Sequence, residues 1–313
     1  MDSTLTLEPV AGPTAPAATA RTRRAWALAL AYSVAVSLLH LEFSLWLVKT
    51  RVDASGAVYS HRTYFPYVLG AIVVAVLVIW IARALRQPRS LPSVAAWWGL
   101  WLACLWLADR FMTYSLYEFS HYPQYALLGV LVARAMDPQR TRWCTGRILF
   151  WTTWLGMADE LLQYLWIARS YGNYLDFNDF VVNLVAGAAG VMLYYGFAPA
   201  PQRRELALRR PEWWAIGFVA VVVAAGFAAG WMHVSPPHGV SVPAGGFLTS
   251  GPHAGWYLQR DDFWYGGWTE GKHHGDYFVL GPLAGMLLLV LGGLLFGRYS
   301  PRASGSIRPR PTS

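Results

Sequence analysis

Asp159, Glu160 and Gln163, followed by Asp179 and Asn183, are the residues of this chain whose types and spacing point most directly to chemistry. They lie inside two apolar runs, Arg147 to Ala168 and Phe177 to Ala198, each long enough to cross a bilayer. A carboxylate at mid-bilayer costs about 3 kcal/mol on insertion scales. Groups placed at that cost face one another, a water-filled cavity or a ligand, and they mark the functional site.

The bulk composition sets the solvent in which those groups must work. Of 313 residues, 55% are hydrophobic and only 13% charged, against roughly 25% charged in a soluble domain. That deficit predicts a polytopic membrane protein. Seventeen Trp and seventeen Tyr suit the headgroup level, where amphipathic rings gather. The net charge of +8 does not indicate nucleic acid, because the basic residues fall in short clusters between apolar runs. Cys104 lies in an apolar run and Cys144 in a basic loop, so neither a disulfide between them nor a cysteine metal site is expected.

Eight apolar runs supply the elements: Ala25 to Val48, Tyr67 to Leu85 behind Pro66, Leu91 to Ala108, Tyr117 to Met136, the two runs above, Trp213 to Met232, and Phe278 to Phe296. The fold class expected is all-α, a polytopic membrane protein of about eight transmembrane helices. Arginines at 21, 23 and 24, at 83, 86 and 89, at 134, 140, 142 and 147, at 203, 204, 209 and 210, and at 298, 302, 308 and 310 all fall on one side if both termini are cytoplasmic. Residues 1–20 read as a disordered cytoplasmic tail and 298–313 as a basic one. Residues 21–200 hold the first six helices, and 201–297 hold two more with a long outer aromatic loop, 233–277. Loops of that length are uncommon without a function, and both a lid and an aromatic hairpin at the headgroup layer fit its composition.

This topology gives the polar residues a depth. Glu160 falls about 12 Å and Gln163 about 7 Å below the outer end of the fifth helix, and Asp179 about 5 Å and Asn183 about 10 Å below that of the sixth. Glu160 and Gln163 share a helix face, as do Asp179 and Asn183. The two helices are antiparallel neighbours, so the four groups converge in the outer leaflet. The fourth helix adds Glu118, His121 and Tyr125, and Asp109, Arg110, His40 and Glu42 lie in the same outer half. The alternatives are plain. Asn183, Gln163 and Tyr125 also suit interhelical hydrogen bonds, and Asp159 suits an ion pair with Arg110 or Arg169. The small residues from Val185 to Gly190 let a neighbouring helix come close.

The order Asp159-Glu160-Leu161-Leu162-Gln163, then Arg169, then Asp179 and Asn183, resembles the VanZ-like family of bacterial membrane proteins. Glu118 and His121 with Tyr125 resemble that family's second signature, and the match spans about 117–195. Ile167-Ala168 stands where the family commonly has Pro-Gly, and the gap from Arg169 to Asp179 is longer. The resemblance implies an envelope protein of the bacterial cytoplasmic (inner) membrane, and one family member is associated with low-level teicoplanin resistance.

The candidate ligand-binding residues are thus Glu118, His121, Tyr125, Glu160, Gln163, Arg169, Asp179 and Asn183. They form an outer-leaflet pocket for a polar or lipid-linked envelope ligand, with Arg169 at its rim for an anionic group. No cofactor and no catalytic residue are assigned. No metal ligands are assigned either, because His238, His253, His273 and His274 with Asp261, Asp262 and Asp276 match no zinc or facial-triad spacing and read as solvated. Membrane lipid, a lipid-linked envelope precursor or other membrane subunits are the expected partners, and nucleic acid is not. The alternative reading is a non-catalytic accessory or scaffold subunit of a larger membrane complex.

Overall fold

The computed structural model describes residues 15–84, 91–169, 172–196, 205, 207–261 and 265–299. The expected tails at 1–14 and 300–313 lie outside the described residues, as does the side chain of His40. An apolar run without turn signals satisfies its own backbone only by coiling, and each of the eight runs contains a helix. These are α1 (Ala15–Val48), α2 (His61–Ala84), α3 (Leu91–Met112), α4 (His121–Met136), α5 (Thr145–Leu162), α6 (Phe177–Tyr195), α7 (Arg210–Ala228) and α8 (Pro282–Gly297). The chain is mostly helical.

Several boundaries differ from expectation for local reasons. Helix α1 starts inside the expected tail, at Ala15, because an Ala-rich stretch favours helix over coil. Helix α2 starts at His61, which puts Pro66 in its second turn rather than before its start. Residues Leu116–Ser120 form a 3₁₀ turn, so α4 begins at His121 and not at Tyr117. Helix α5 widens into a π turn over Gln163–Ile167. Helix α8 begins at Pro282, whose fixed φ suits a first turn.

Helix α6 is the axis of the molecule. All of its residues except Asp179 and Leu193 are buried, and α3, α4, α5 and α8 pack around it. Glycine makes the closest crossing possible: a Cβ on Gly190 would stand 2.0 Å from the Ala126 carbonyl oxygen of α4, and one on Gly129 would stand 2.7 Å from that of Gly187. On another face, Trp101 of α3 donates its indole N–H to the Val185 carbonyl at 2.8 Å.

The periphery is apolar and uncovered. Helix α7 exposes Trp213, Trp214, Phe218 and Val221, and α8 exposes Leu283, Leu287, Val290 and Leu294. Helices α6 and α7 are long and apolar enough to cross a membrane, the first buried within the bundle and the second mostly exposed.

Seven strands of two or three residues accompany the helices. β1 (Thr50–Val52) and β2 (Val58–Ser60) form an antiparallel hairpin between α1 and α2. The other five belong to the long segment after α7. There β5 (Gly255–Tyr257) lies parallel to β3 (Met232–His233) and antiparallel to β4 (Phe247–Leu248), while β6 (Trp268–Glu270) pairs with β7 (Asp276–Phe278).

This segment docks on one end of the bundle. Leu175 N–H donates to the Leu258 carbonyl at 2.7 Å, Arg260 N–H to that of Asn173 at 2.7 Å, and Lys272 N–H to that of Tyr114 at 2.7 Å. Tyr265 bridges the same junction, its hydroxyl 2.7 Å from the Leu175 carbonyl and 3.0 Å from that of Leu258. Burial, and secondarily the Asp176 carboxylate, push that hydroxyl well above the ordinary tyrosine range and keep it a donor.

Candidate functional site

Three helices meet under this capped end. On α4, His121 and Tyr125 stand one turn apart, and the 3₁₀ turn before them fixes where the helix begins. Glu118 holds that turn, its two carboxylate oxygens each accepting a backbone N–H at 3.0 Å, from Ser115 and Tyr114. At the start of α6, Asp176 accepts the Asn178 N–H at 2.8 Å and the Asp179 N–H at 3.3 Å. This N-cap sets the rotation of the helix and so the direction of Asp179 and, one turn on, Asn183.

Asn183 is the bridge between the helices. Its amide nitrogen donates to Glu160 Oε1 at 3.2 Å, and its amide oxygen lies 2.9 Å from His121 Nδ1. An amide oxygen accepts only, so this imidazole nitrogen carries the proton. His121 Nδ1 is also 3.8 Å from Glu160 Oε1. One donor atom each from His121, Glu160 and Asp179 fall within 4.8 Å of one another. Beside them the Tyr125 hydroxyl donates to Asp159 Oδ2, and its ring packs 5.8 Å from that of His121. Gly156 leaves the room for this: a Cβ there would meet the Tyr125 ring at 3.0 Å and Asn183 at 3.3 Å.

The site is buried and rich in acid. His121 is 2% exposed, Asn183 1% and Glu160 5%. Glu160 lies within electrostatic reach of Asp159, Asp176 and Asp179, and Glu118 within reach of Asp176 and Asp179. Among the described residues no Lys or Arg forms an ion pair with any of the five, and His121 is the one basic partner, to Glu160. Two unit charges about 4 Å apart repel by roughly 4 kcal/mol at an effective dielectric of about 20, so these carboxylates cannot all carry charge without a proton or a cation among them. Oδ1 of Asp159, Oδ1 of Asp179 and Nε2 of Gln163 are buried without a hydrogen-bond partner. A narrow void lined by Tyr32, Ser33, Gln124, Tyr125 and Asp159, too small for water, lies on the α1 side.

Of the residues singled out from sequence, His121, Glu160, Asp179 and Asn183 come together, with Tyr125 alongside. Gln163 is buried at the first position of the π turn. Glu118 serves the backbone turn. Arg169 is exposed past the π turn, and its Cβ lies beside Gly245 rather than in the cluster. Asp159 takes Tyr125 as its partner and neither Arg110 nor Arg169, because Tyr125 projects from the face of α4 that meets α5.

Other polar residues hold the frame and were not legible as such. Asn178 donates its amide to the carbonyls of Met112 and Phe278 and accepts the Leu280 N–H, all at 2.8 Å, tying α3, α6 and the docked segment together. At the opposite end Glu212 of α7 accepts from the Arg147 guanidinium at 2.9 Å and the Trp151 indole at 2.8 Å. His273 and His274, expected as solvated loop residues, donate to the two oxygens of Asp109 at 3.1 and 2.9 Å, because the β6–β7 hairpin is folded down onto the end of α3.

Comparison with known families, characterised proteins and solved structures gives no match.

Proposed function

We propose that the chain is a multi-pass protein of the bacterial cytoplasmic membrane, VanZ-like in its central helices, whose working part is the cluster of His121, Glu160, Asp179 and Asn183. Eight helices with an apolar, uncovered periphery support the membrane reading, since faces of that size on a soluble monomer would aggregate. The positive-inside distribution of arginine then puts the capped end outside. The cluster serves an envelope ligand at the outer leaflet, of the lipid-linked or glycopeptide class that the resemblance implies.

The observation that carries this reading is the Asn183 bridge. It joins residues 62 and 23 positions apart in the chain and leaves Asp159 and Asp179 with unused acceptors in a buried site. A merely structural network satisfies its members, and this one does not. The acidity of the site also sets its preference: a bare anion is repelled, whereas hydroxyl, amide and cationic groups are taken up.

The test is expression of Glu160→Ala, Asp179→Ala and the double variant in a susceptible bacterial host, with teicoplanin susceptibility and envelope-precursor levels as readouts. Loss of any phenotype that the unaltered chain confers, in variants still folded and inserted, is expected. Unchanged behaviour of the double variant overturns the reading.

A further inference from the structure

We infer that His121, Glu160 and Asp179 bind a divalent transition-metal cation, with Zn²⁺ and Mn²⁺ as the fitting class. This rests on the same cluster as the function proposed above and names what the cluster holds.

Three observations point to it independently. The first is distance. Two donors on one tetrahedral cation at about 2.1 Å each lie about 3.4 Å apart. His121 Nδ1 and Glu160 Oε1 are 3.8 Å apart, and the set with Asp179 closes within 4.8 Å, so side-chain shifts of about 1 Å or less complete the site. The second is an unfilled acceptor: Asp179 Oδ1 is fully buried and has no partner. The third is charge. Glu160 and the nearby Asp159, Asp176 and Asp179 have no Lys or Arg ion pair among the described residues, and a divalent cation offsets their mutual repulsion.

The donor set narrows the identity. One imidazole with two carboxylates is a mixed nitrogen and oxygen set, which suits zinc, manganese or iron, whereas calcium and magnesium favour all-oxygen shells. Binding displaces the Nδ1 proton that His121 shares with Asn183, as ligation by a neutral imidazole requires, while the Asn183 amide N–H keeps its hold on Glu160 as outer partners of metal ligands do. With the cation bound, the site turns from repelling an anionic headgroup to accepting one.

The competing cluster, Asp109 with His273 and His274, must be separated in the test. The full chain with Asp109→Asn is purified into lipid nanodiscs, stripped with chelator, and dialysed against Zn²⁺ or Mn²⁺. Metal analysis after gel filtration is expected to find one equivalent retained. His121→Ala and Asp179→Asn in the same background are expected to weaken binding by more than the roughly 10–100-fold that an outer partner contributes. Should those variants fail to fold, pulsed electron paramagnetic resonance of the Mn²⁺ form decides without them, through modulation from a directly bound imidazole nitrogen. No retained metal, loss of metal on Asp109→Asn alone, or Mn²⁺ bound without nitrogen coupling overturns the inference. A metal-free chain whose phenotype still disappears with Glu160→Ala refutes only the cation. A metal-loaded chain with no phenotype refutes only the function.

Discussion

His121 on α4 and Asn183 on α6 are joined side chain to side chain at 2.9 Å, in a region where neither is more than 2% exposed. An interhelical hydrogen bond in a membrane protein contributes about 0.6 kcal/mol on average. This one belongs to a chain of three groups, and deleting the middle member takes a hydrogen bond from each of the other two.

Asn183→Ala is therefore expected to cost more than the average, about 1–3 kcal/mol, because a buried imidazole N–H and a buried carboxylate each lose a hydrogen bond. Asn183→Leu, which also removes both bonds, belongs in the same range. Thermal or denaturant unfolding in detergent measures this, and a loss below about 0.5 kcal/mol would show that the Asn183 bridge is not coupled.

The helix crossing is a steric matter. Gly190→Ala places a methyl group 2.0 Å from the Ala126 carbonyl oxygen, a contact that α4 can relieve only by moving away. A loss of at least about 2 kcal/mol is expected, at the upper end of ordinary overpacking. Gly217→Ala on α7 is the control, since nothing lies within 4 Å of its added carbon and helix propensity favours alanine by up to about 1 kcal/mol. A lower melting temperature for the first and none for the second is the expected pair of results.

Asn178 makes a prediction about the capped end. With all three of its hydrogen bonds at 2.8 Å, Asn178→Ala unties the exit of the docked segment from α3 and α6 while leaving the His121–Asn183 bridge in place. Faster amide exchange and proteolysis within 232–280 are expected, with the helices unchanged. Equal protection in both proteins would mean that the tyrosine and backbone contacts hold the segment by themselves.

How much of this was legible in the sequence follows from the range of each interaction. The eight helices were, because twenty apolar residues in a row are a local signal. The convergence of Glu160, Asp179 and Asn183 also followed, from helix rise and a short connection. Partner choice did not. An ion pair with an arginine was one alternative for Asp159, and it bonds Tyr125 instead because the Gly190 crossing sets the rotation of α4 against its neighbours, which no spacing reveals. The docked segment was equally opaque: strands of two or three residues leave no alternation to read, and His273 and His274 find Asp109 only after the hairpin folds back. Helix starts shifted where one side chain takes over the backbone, as Glu118 does before His121.

Orientation remains the most direct test of the membrane reading, and the chain lends itself to one. Its native thiols are half-buried Cys104 and buried Cys144, so an introduced cysteine dominates labelling by a charged maleimide. Ser250 and Ala207 are exposed and lie on opposite sides of α7. If the arginines that flank the helices stay in the cytoplasm, Ser250→Cys is labelled in intact cells and Ala207→Cys only after the membrane is opened. The reverse pattern would turn the acidic cluster toward the cytoplasm and remove any envelope ligand from its reach. Labelling of both in intact cells would mean that α7 does not cross, and its uncovered tryptophans would then need another partner.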